Sequence, residues 1–313
     1  MPCYHPLTGY KGKELNNNGR RPLVFNIDQA YTSEPVKIPC GQCVGCRLER
    51  SRQWAIRCVH EASLYQDNCF ITLTYNNKYL PEDKSLNKKH FQDFMKRLRR
   101  MYPEKKIRYY QCGEYGEKNM RPHYHACLFN FDFSDKKLWQ TREGVKLYTS
   151  EILSERWGKG FVTIGEVTWE SAAYVARYIM KKINGKQAEI QGIDGTTHYE
   201  QIDSETGEIH KIEKEYTTMS RKPGIASDWY KQYKKDVYPS DFITHNGKKY
   251  KPPKYYDHIF EVENPEEFAI LKERRQIEAE KHEADNTPDR LQVKEKCKLA
   301  TIKPLIRPYE QGE

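Results

Sequence analysis

His123 and His125 stand two residues apart in Arg121-Pro122-His123-Tyr124-His125-Ala126-Cys127-Leu128-Phe129. On a strand, residues i and i+2 project to the same face. The two imidazoles therefore lie side by side while Tyr124 faces away. Two adjacent imidazoles are half of a divalent metal site; the other reading of the same spacing is a surface pair. Upstream, Tyr109-Tyr110-Gln111-Cys112-Gly113-Glu114-Tyr115-Gly116 and the polar segment Glu117 to Met120 read as strand, then turn. Such a hairpin folds Glu114 back towards His123 and His125. It adds a carboxylate oxygen to two nitrogens, a mixed set that suits Mn²⁺ or Mg²⁺ better than a thiolate-seeking metal. Glu117, in the turn, and Glu61, on an upstream helix, are the competing carboxylates.

The run from Thr168 to Ile183 contains no Gly or Pro and begins with a good N-cap, which predicts a helix. At about 100° per residue, Ala172, Ala176, Ile179 and Ile183 form one apolar stripe. Tyr174, Tyr178 and Lys181 form a second stripe on nearly the opposite side, with Lys182 beside it. Tyrosines on a helix are commonly half-buried packing residues, but this stripe is separate from the apolar one and carries a lysine.

A second cluster is Cys40-x-x-Cys43-x-x-Cys46, whose thiolates can wrap one tetrahedral ion. Cys3 and His5 are the candidates for a fourth ligand, Cys3 the stronger. Structural zinc and a reduced thiol cluster are the two readings, and either would pin the N-terminal arm to the rest of the chain.

The elements that must position these residues are legible from periodicity. Cys69 to Tyr75 and Phe161 to Val167 read as strands, with Thr72 and Thr74 sharing one face, in addition to Ile107 to Gly113 and His123 to Phe129. Residues 47 to 65 read as a helix exposing Arg47, Arg50, Arg52 and Arg57. Residues 88 to 102 read as an amphipathic helix with Phe91, Phe94, Met95 and Leu98 inward and Lys96, Arg97, Arg99 and Arg100 mostly outward. Residues 150 to 157 read as a short helix ended by Gly158. The sum is α+β: a central antiparallel sheet with flanking helices. Residues 1–46 form an arm with the cysteine cluster, 47–260 the main domain and 261–313 a charged helical tail with a disordered end. Residues 185 to 217 read as a hairpin or a flexible insertion. Arg221 and Lys222 in Met219-Ser220-Arg221-Lys222-Pro223-Gly224 are candidate phosphate contacts.

A chain of 313 residues with 53 Lys+Arg against 44 Asp+Glu carries a formal +9, compatible with a polyanionic partner. Its 23 tyrosines, interleaved with Lys and Arg, suit unstacked bases. The absence of a long apolar run and of a signal-peptide h-region predicts a soluble intracellular protein with no membrane partner. The 9 cysteines, an odd number, then argue for thiols or metal rather than disulfides.

His-hydrophobic-His on a strand, a carboxylate just upstream, and Tyr-x-x-x-Tyr-x-x-Lys on a later helix together resemble an HUH endonuclease of the rolling-circle initiator type. Narrower resemblance is to the replication initiation proteins of microviruses, the gokushovirus group among them. It is carried by Pro39 to Arg47, Phe70 to Tyr75, Gly113 to Gly116, Arg121 to His125, Tyr174 to Lys182 and Met219 to Gly224, and covers about residues 38 to 230. Tyrosines placed after the histidines fit initiators rather than conjugative relaxases. The resemblance implies a palm-like sheet, a catalytic Mg or Mn ion on His123, His125 and Glu114, and nucleophiles Tyr174 and Tyr178 aided by Lys181 or Lys182. It also implies cleavage of single-stranded DNA at a phage origin, a 5′-phosphotyrosine link and a 3′-hydroxyl that primes a host polymerase, with host helicase as a further partner, in the bacterial cytoplasm. Two rival readings are a metal-dependent nuclease that uses water and a non-enzymatic zinc-containing nucleic-acid-binding module.

Overall fold

The computed structural model describes residues 3–16, 21–116, 119–177, 188–192, 195–203 and 206–302. Strands β1 (Leu7–Lys11), β2 (Leu23–Val24) and β3 (Val36–Ile38) precede helix α1 (Val44–Ala62). Then come β4 (Asn68–Leu73), α2 (Lys88–Met101), β5 (Arg108–Tyr115) and β6 (Pro122–Phe129). The chain continues through β7 (Lys137–Arg142), β8 (Val145–Thr149), α3 (Glu151–Trp157), β9 (Val162–Gly165) and α4 (Trp169–Arg177). Next are β10 (Glu200–Ile202), β11 (Ile209–Lys211), β12 (Tyr216–Met219) and α5 (Ser227–Val237). β13 (Ile243–His245), β14 (Lys248–Tyr250), α6 (Lys254–Glu263), α7 (Pro265–Glu280) and α8 (Pro288–Ile302) complete the described chain. The described residues divide into two units: Ser51–Leu271, and the segment up to Arg50 together with that from Lys272 on.

In the larger unit, seven strands form one antiparallel sheet in the order β12-β5-β6-β4-β9-β8-β7. The α+β class with a central antiparallel sheet is therefore as the sequence predicts, and its four predicted strands are the contiguous β5-β6-β4-β9. The sheet is wider than expected at both edges. The stretch expected to be a hairpin or insertion contains the β10–β11 hairpin and then β12, which pairs with β5 from Tyr216↔Gly113 to Met219↔Tyr110. The β7–β8 hairpin is mostly exposed, so its sequence lacks the alternation by which strands are recognised.

Helices cover both faces of the sheet centre. Cys69, Ile71 and Leu73 pack with Phe91, Phe94, Met95 and Leu98 of α2 and with Leu153 and Trp157 of α3. On the opposite face, Phe70, Tyr110, Cys112 and Cys127 pack with Ala55 and Cys58 of α1 and with Ala172, Tyr174 and Ala176 of α4. Burial on both faces is why most of β4 and the Ala126–Phe129 half of β6 read as continuous apolar runs. Helix ends follow local chemistry. The Ser150 hydroxyl accepts from the Leu153 amide at 3.0 Å, and Gly158 closes α3 at φ +64°, a left-handed value that glycine adopts without a Cβ penalty.

Helix α1 serves packing more than the sequence suggests. Arg57, expected on an exposed basic face, donates to the Ile225 carbonyl at 3.0–3.1 Å and lies between the rings of Trp54 and Tyr255. Glu61, the outside candidate for a metal carboxylate, is instead a buried ion-pair partner of Arg108 and accepts from the Ala226 amide at 2.5 Å. Arg108 also donates to the carbonyls of Pro223 and Gly224, both at 3.0 Å. Helix, sheet and the 223–226 loop are thus clasped by one buried charge pair. Arg108→Met strands the Glu61 carboxylate, and we expect a loss of about 3–5 kcal/mol, read as a lower denaturant midpoint. Adding Glu61→Leu should restore most of it; a single mutant of unchanged stability would show that the pair is not the clasp.

Candidate functional site

The hairpin β5–β6 sets the site by register. Glu114 pairs with His123 and Cys112 with His125, while on the other side Thr72 of β4 pairs with His125. Directly opposed residues share a face, so one surface of three strands presents Glu114, His123, His125 and Thr72. Glu114 Oε1 lies 2.7 Å from His123 Nε2 and 2.9 Å from His125 Nε2. The ligand atoms of the three residues all fall within 4.8 Å of one another.

The other ring nitrogens have partners of their own. His123 Nδ1 is 3.1 Å from the Arg121 carbonyl, which can only accept, so Nδ1 carries the proton. His125 Nδ1 is 2.9 Å from the Thr72 hydroxyl, which holds its ring in the matching orientation. Both Nε2 atoms point at one carboxylate oxygen. Three electron-rich atoms aimed at one point repel unless a proton or cation lies among them, so this donor set fits a divalent ion. Burial by itself would raise the Glu114 carboxyl; the charge and hydrogen bonds of His123 and then His125 outweigh it and hold the group below its ordinary value. Glu114 and His125 are covered, whereas the His123 side chain keeps 17% exposure, so His123 is the solvent-facing rim.

Aromatic rings box His125. Phe70 stacks on it at 5.6 Å and 13°, and Tyr174 of α4 meets it edge-on at 5.1 Å and 89°. Tyr174 is placed by the capping of α4: the Thr168 hydroxyl accepts from the Ser171 amide at 3.2 Å, and the Ser171 hydroxyl accepts from the Thr168 amide at 2.8 Å. The two-stripe reading of this helix is corrected for Tyr174, which is as buried as Ala172 and Ala176 and shares their core. The helix packs on the sheet beside α1, where the Ser51 hydroxyl donates to the Ala173 carbonyl at 3.1 Å, so more than one of its faces is covered. Tyr178, Lys181 and Lys182 lie outside the described residues, as does Glu117.

In the smaller unit, Cys3, Cys40, Cys43 and Cys46 come together, with all four sulfurs within 4.8 Å of one another. His5, the competing fourth ligand, instead pairs with Glu295 at 2.6 Å. Burial pushes the Cys43 thiol up, but the Cys46 and Tyr4 amides outweigh it and bring it down to about 7. Arg221 and Lys222 are exposed. Arg97 and Arg99 of α2 are partly spent on carbonyls, of Arg156 and Trp157 and of Ile107 respectively. The roles of Thr72 and Phe70 beside His125 are additions to the sequence reading. The resemblance implies that Phe70 to Tyr75 is a central strand beside the histidine strand that supports the site, as β4 beside β6 does; which of its side chains touch His125 is what it left open.

The fold and site thus define an α+β protein whose sheet centre carries three converging candidate metal ligands beneath a tyrosine-bearing helix. A family profile described as replication-associated protein ORF2/G2P matches residues 68–183, the span from β4 through α4 that contains Glu114, His123, His125 and Tyr174. The chain is 31% identical to the replication-associated protein ORF2 of Spiroplasma virus 4, with all of both chains covered. It is 32% identical to the replication-associated protein VP4 of Bdellovibrio phage phiMH2K, covering 77% of this chain and 75% of that one. Identity to the replication-associated protein ORF4 of Chlamydia phage 1 is 31%, over 70% of this chain and 52% of that one. No solved structure matches. The chain belongs to this family of microvirus replication-associated proteins. Among the described residues, no helix is long and apolar enough to cross a membrane.

Proposed function

We propose that this protein initiates and ends rolling-circle replication of a phage genome by nicking and rejoining single-stranded DNA at the origin. In this reading, residues 47–260 are the catalytic domain. Glu114, His123 and His125 hold a Mg or Mn ion, which supplies Lewis-acid polarisation of the scissile phosphate when bound. The observation that supports the reading is the edge-on contact of the Tyr174 ring with the ring of His125, their centroids 5.1 Å apart.

The chemistry balances without an external energy source. A tyrosine oxygen attacks phosphorus, the P–O3′ bond breaks, a 5′-phosphotyrosine ester forms, and the phenolic proton ends on the released 3′-hydroxyl. A phenol with an ordinary pKa of about 10 must lose that proton on attack, which Lys181 or Lys182 assists as a neighbouring cation. The Tyr174 hydroxyl is buried, so entry of DNA must uncover it. The free 3′ end primes a host polymerase, host helicase opens the duplex, and the reaction belongs to the bacterial cytoplasm.

The test is incubation of the full chain with single-stranded oligonucleotides covering the cognate origin plus Mn²⁺. A protein–DNA adduct that survives denaturing electrophoresis is the expected result. Cleavage with no adduct would mean that water is the nucleophile; binding with no cleavage in any divalent ion would mean a non-enzymatic binding module.

A further inference from the structure

The smaller unit has little apolar interior. Leu7, Leu23, Phe25 and Ile27, all in its arm, are each more than 40% exposed. Its buried cluster, among the described residues, is Tyr4, Cys43 and Leu291, with Cys3, Cys40, Val44 and Cys46 packed around them. A small unit without a core needs another tie. We propose that Cys3, Cys40, Cys43 and Cys46 bind one structural Zn²⁺, and that this ion holds the N-terminal arm in its folded form.

The sulfur geometry suits a tetrahedral ion. A Zn–S bond of about 2.3 Å places tetrahedral sulfurs about 3.8 Å apart. Cys3 Sγ and Cys43 Sγ are 3.9 Å apart, and every other pair is within 4.8 Å. That spacing is well outside a disulfide bond of about 2.05 Å.

Backbone amides are already turned towards the sulfurs. The Cys40 amide donates to Cys3 Sγ at 3.2 Å and the Tyr4 amide to Cys43 Sγ at 3.3 Å. Cys40 Sγ accepts from the amides of Gln42 and Cys43 at 3.4 and 3.3 Å. Donors of this kind stabilise thiolates and orient them as ligands. Gly41 makes the turn possible: at φ +74° it brings two following amides round onto Cys40. Four thiolates with no open position constitute a closed, structural site, and thiolate softness selects Zn²⁺ over Mg²⁺ or Mn²⁺.

Folding of the arm then follows from ligation. Cys3 precedes β1, Cys40 and Cys43 lie in the turn before α1, and Cys46 lies in the first turn of that helix. Around them, Leu291 of α8 packs on Tyr4 and Cys43, and His5 pairs with Glu295 of the same helix. Because such a site does not exist in the unfolded chain, binding free energy is folding free energy.

The experiment uses full-length protein purified without chelator. Elemental analysis should give one zinc per chain, retained in the His123→Ala/His125→Ala double variant and lost in Cys40→Ser/Cys43→Ser. Refolding with Co²⁺ should give the visible absorption of a tetrahedral tetrathiolate site. Hydrogen exchange after stripping with a thiol-directed mercurial should show residues 3–13 and 40–46 unprotected while β4 to β6 keep their protection. Should the cysteine variant fail to fold, the cobalt spectrum and zinc-dependent protection of the four thiols from alkylation in the unmodified chain decide the matter. Disulfides among these cysteines, iron in place of zinc, or zinc that leaves with the histidines and stays with the serines would overturn the proposal.

Discussion

His125→Ala should lower cleavage of an origin oligonucleotide by on the order of 10³-fold, the scale at which removal of one preorganised electrostatic group acts. His125 has no redundancy in the site. Its Nε2 is 2.9 Å from Glu114 Oε1, and its ring is fixed by the Thr72 hydroxyl, by Phe70 and by Tyr174. Removing the imidazole therefore deletes a proposed metal ligand and also the wall against which Tyr174 rests. Binding of single-stranded DNA should persist, because it rests on phosphate neutralisation and base stacking elsewhere. Thr72→Val gives a graded version of the same test. It keeps every candidate ligand but removes the hydroxyl that lies 2.9 Å from His125 Nδ1 and orients the ring, and metal affinity should fall by roughly 10–100-fold. Metal titration of the adduct-forming reaction separates the two: Thr72→Val shifts the midpoint and recovers at high Mn²⁺, whereas His125→Ala does not recover. Cleavage at the normal rate by His125→Ala would remove the metal site from the mechanism.

The parts of this site that a sequence shows are those close in sequence. Glu114, His123 and His125 belong to one hairpin, and the strand period plus one turn brings Glu114 opposite His123. Thr72 reaches His125 only because β4 lies next to β6, a pairing across distant sequence that no local pattern specifies. Phe70 is hidden for the same reason. The helical wheel misplaced Tyr174 because it assumes a single buried face, whereas α4 is covered by the sheet and by α1. Arg57 looked like a solvent-facing charge because periodicity counts it on the polar side. Its guanidinium is in fact held by the Ile225 carbonyl and two aromatic rings, an interaction available to a long side chain with an apolar stem. The β2-β1-β3 sheet left no periodic trace because its strands are short and mostly exposed.

Tyr174→Phe and Tyr178→Phe should each leave a first cut while stopping the release of unit-length circles. Rolling-circle replication needs one cut to start and a second to release the genome. With a single nucleophile, the second cut requires another protein copy or water. Residues four apart on a helix are separated by about 6 Å along its axis, so two phenols at these positions can serve one bound phosphate with small shifts of side chain or DNA. Tyr174 contributes the buried position against His125. Tyr178, four residues on in the helix that the sequence predicts, would take the regenerated origin while Tyr174 still holds the 5′ end, and the two would exchange roles in the next round. In the proposed mechanism Lys181, three residues past Tyr178 in sequence, would assist both attacks, with Lys182 in reserve. The first cut and the joining step are to be assayed separately, on a linear origin oligonucleotide and on a substrate carrying two origins. Each single variant should form an adduct on the first and no circles on the second, and the double variant should form no adduct at all. Loss of both activities in one single variant, with the other wholly normal, would leave a single-tyrosine enzyme and assign the second cut to another copy of the chain or to water.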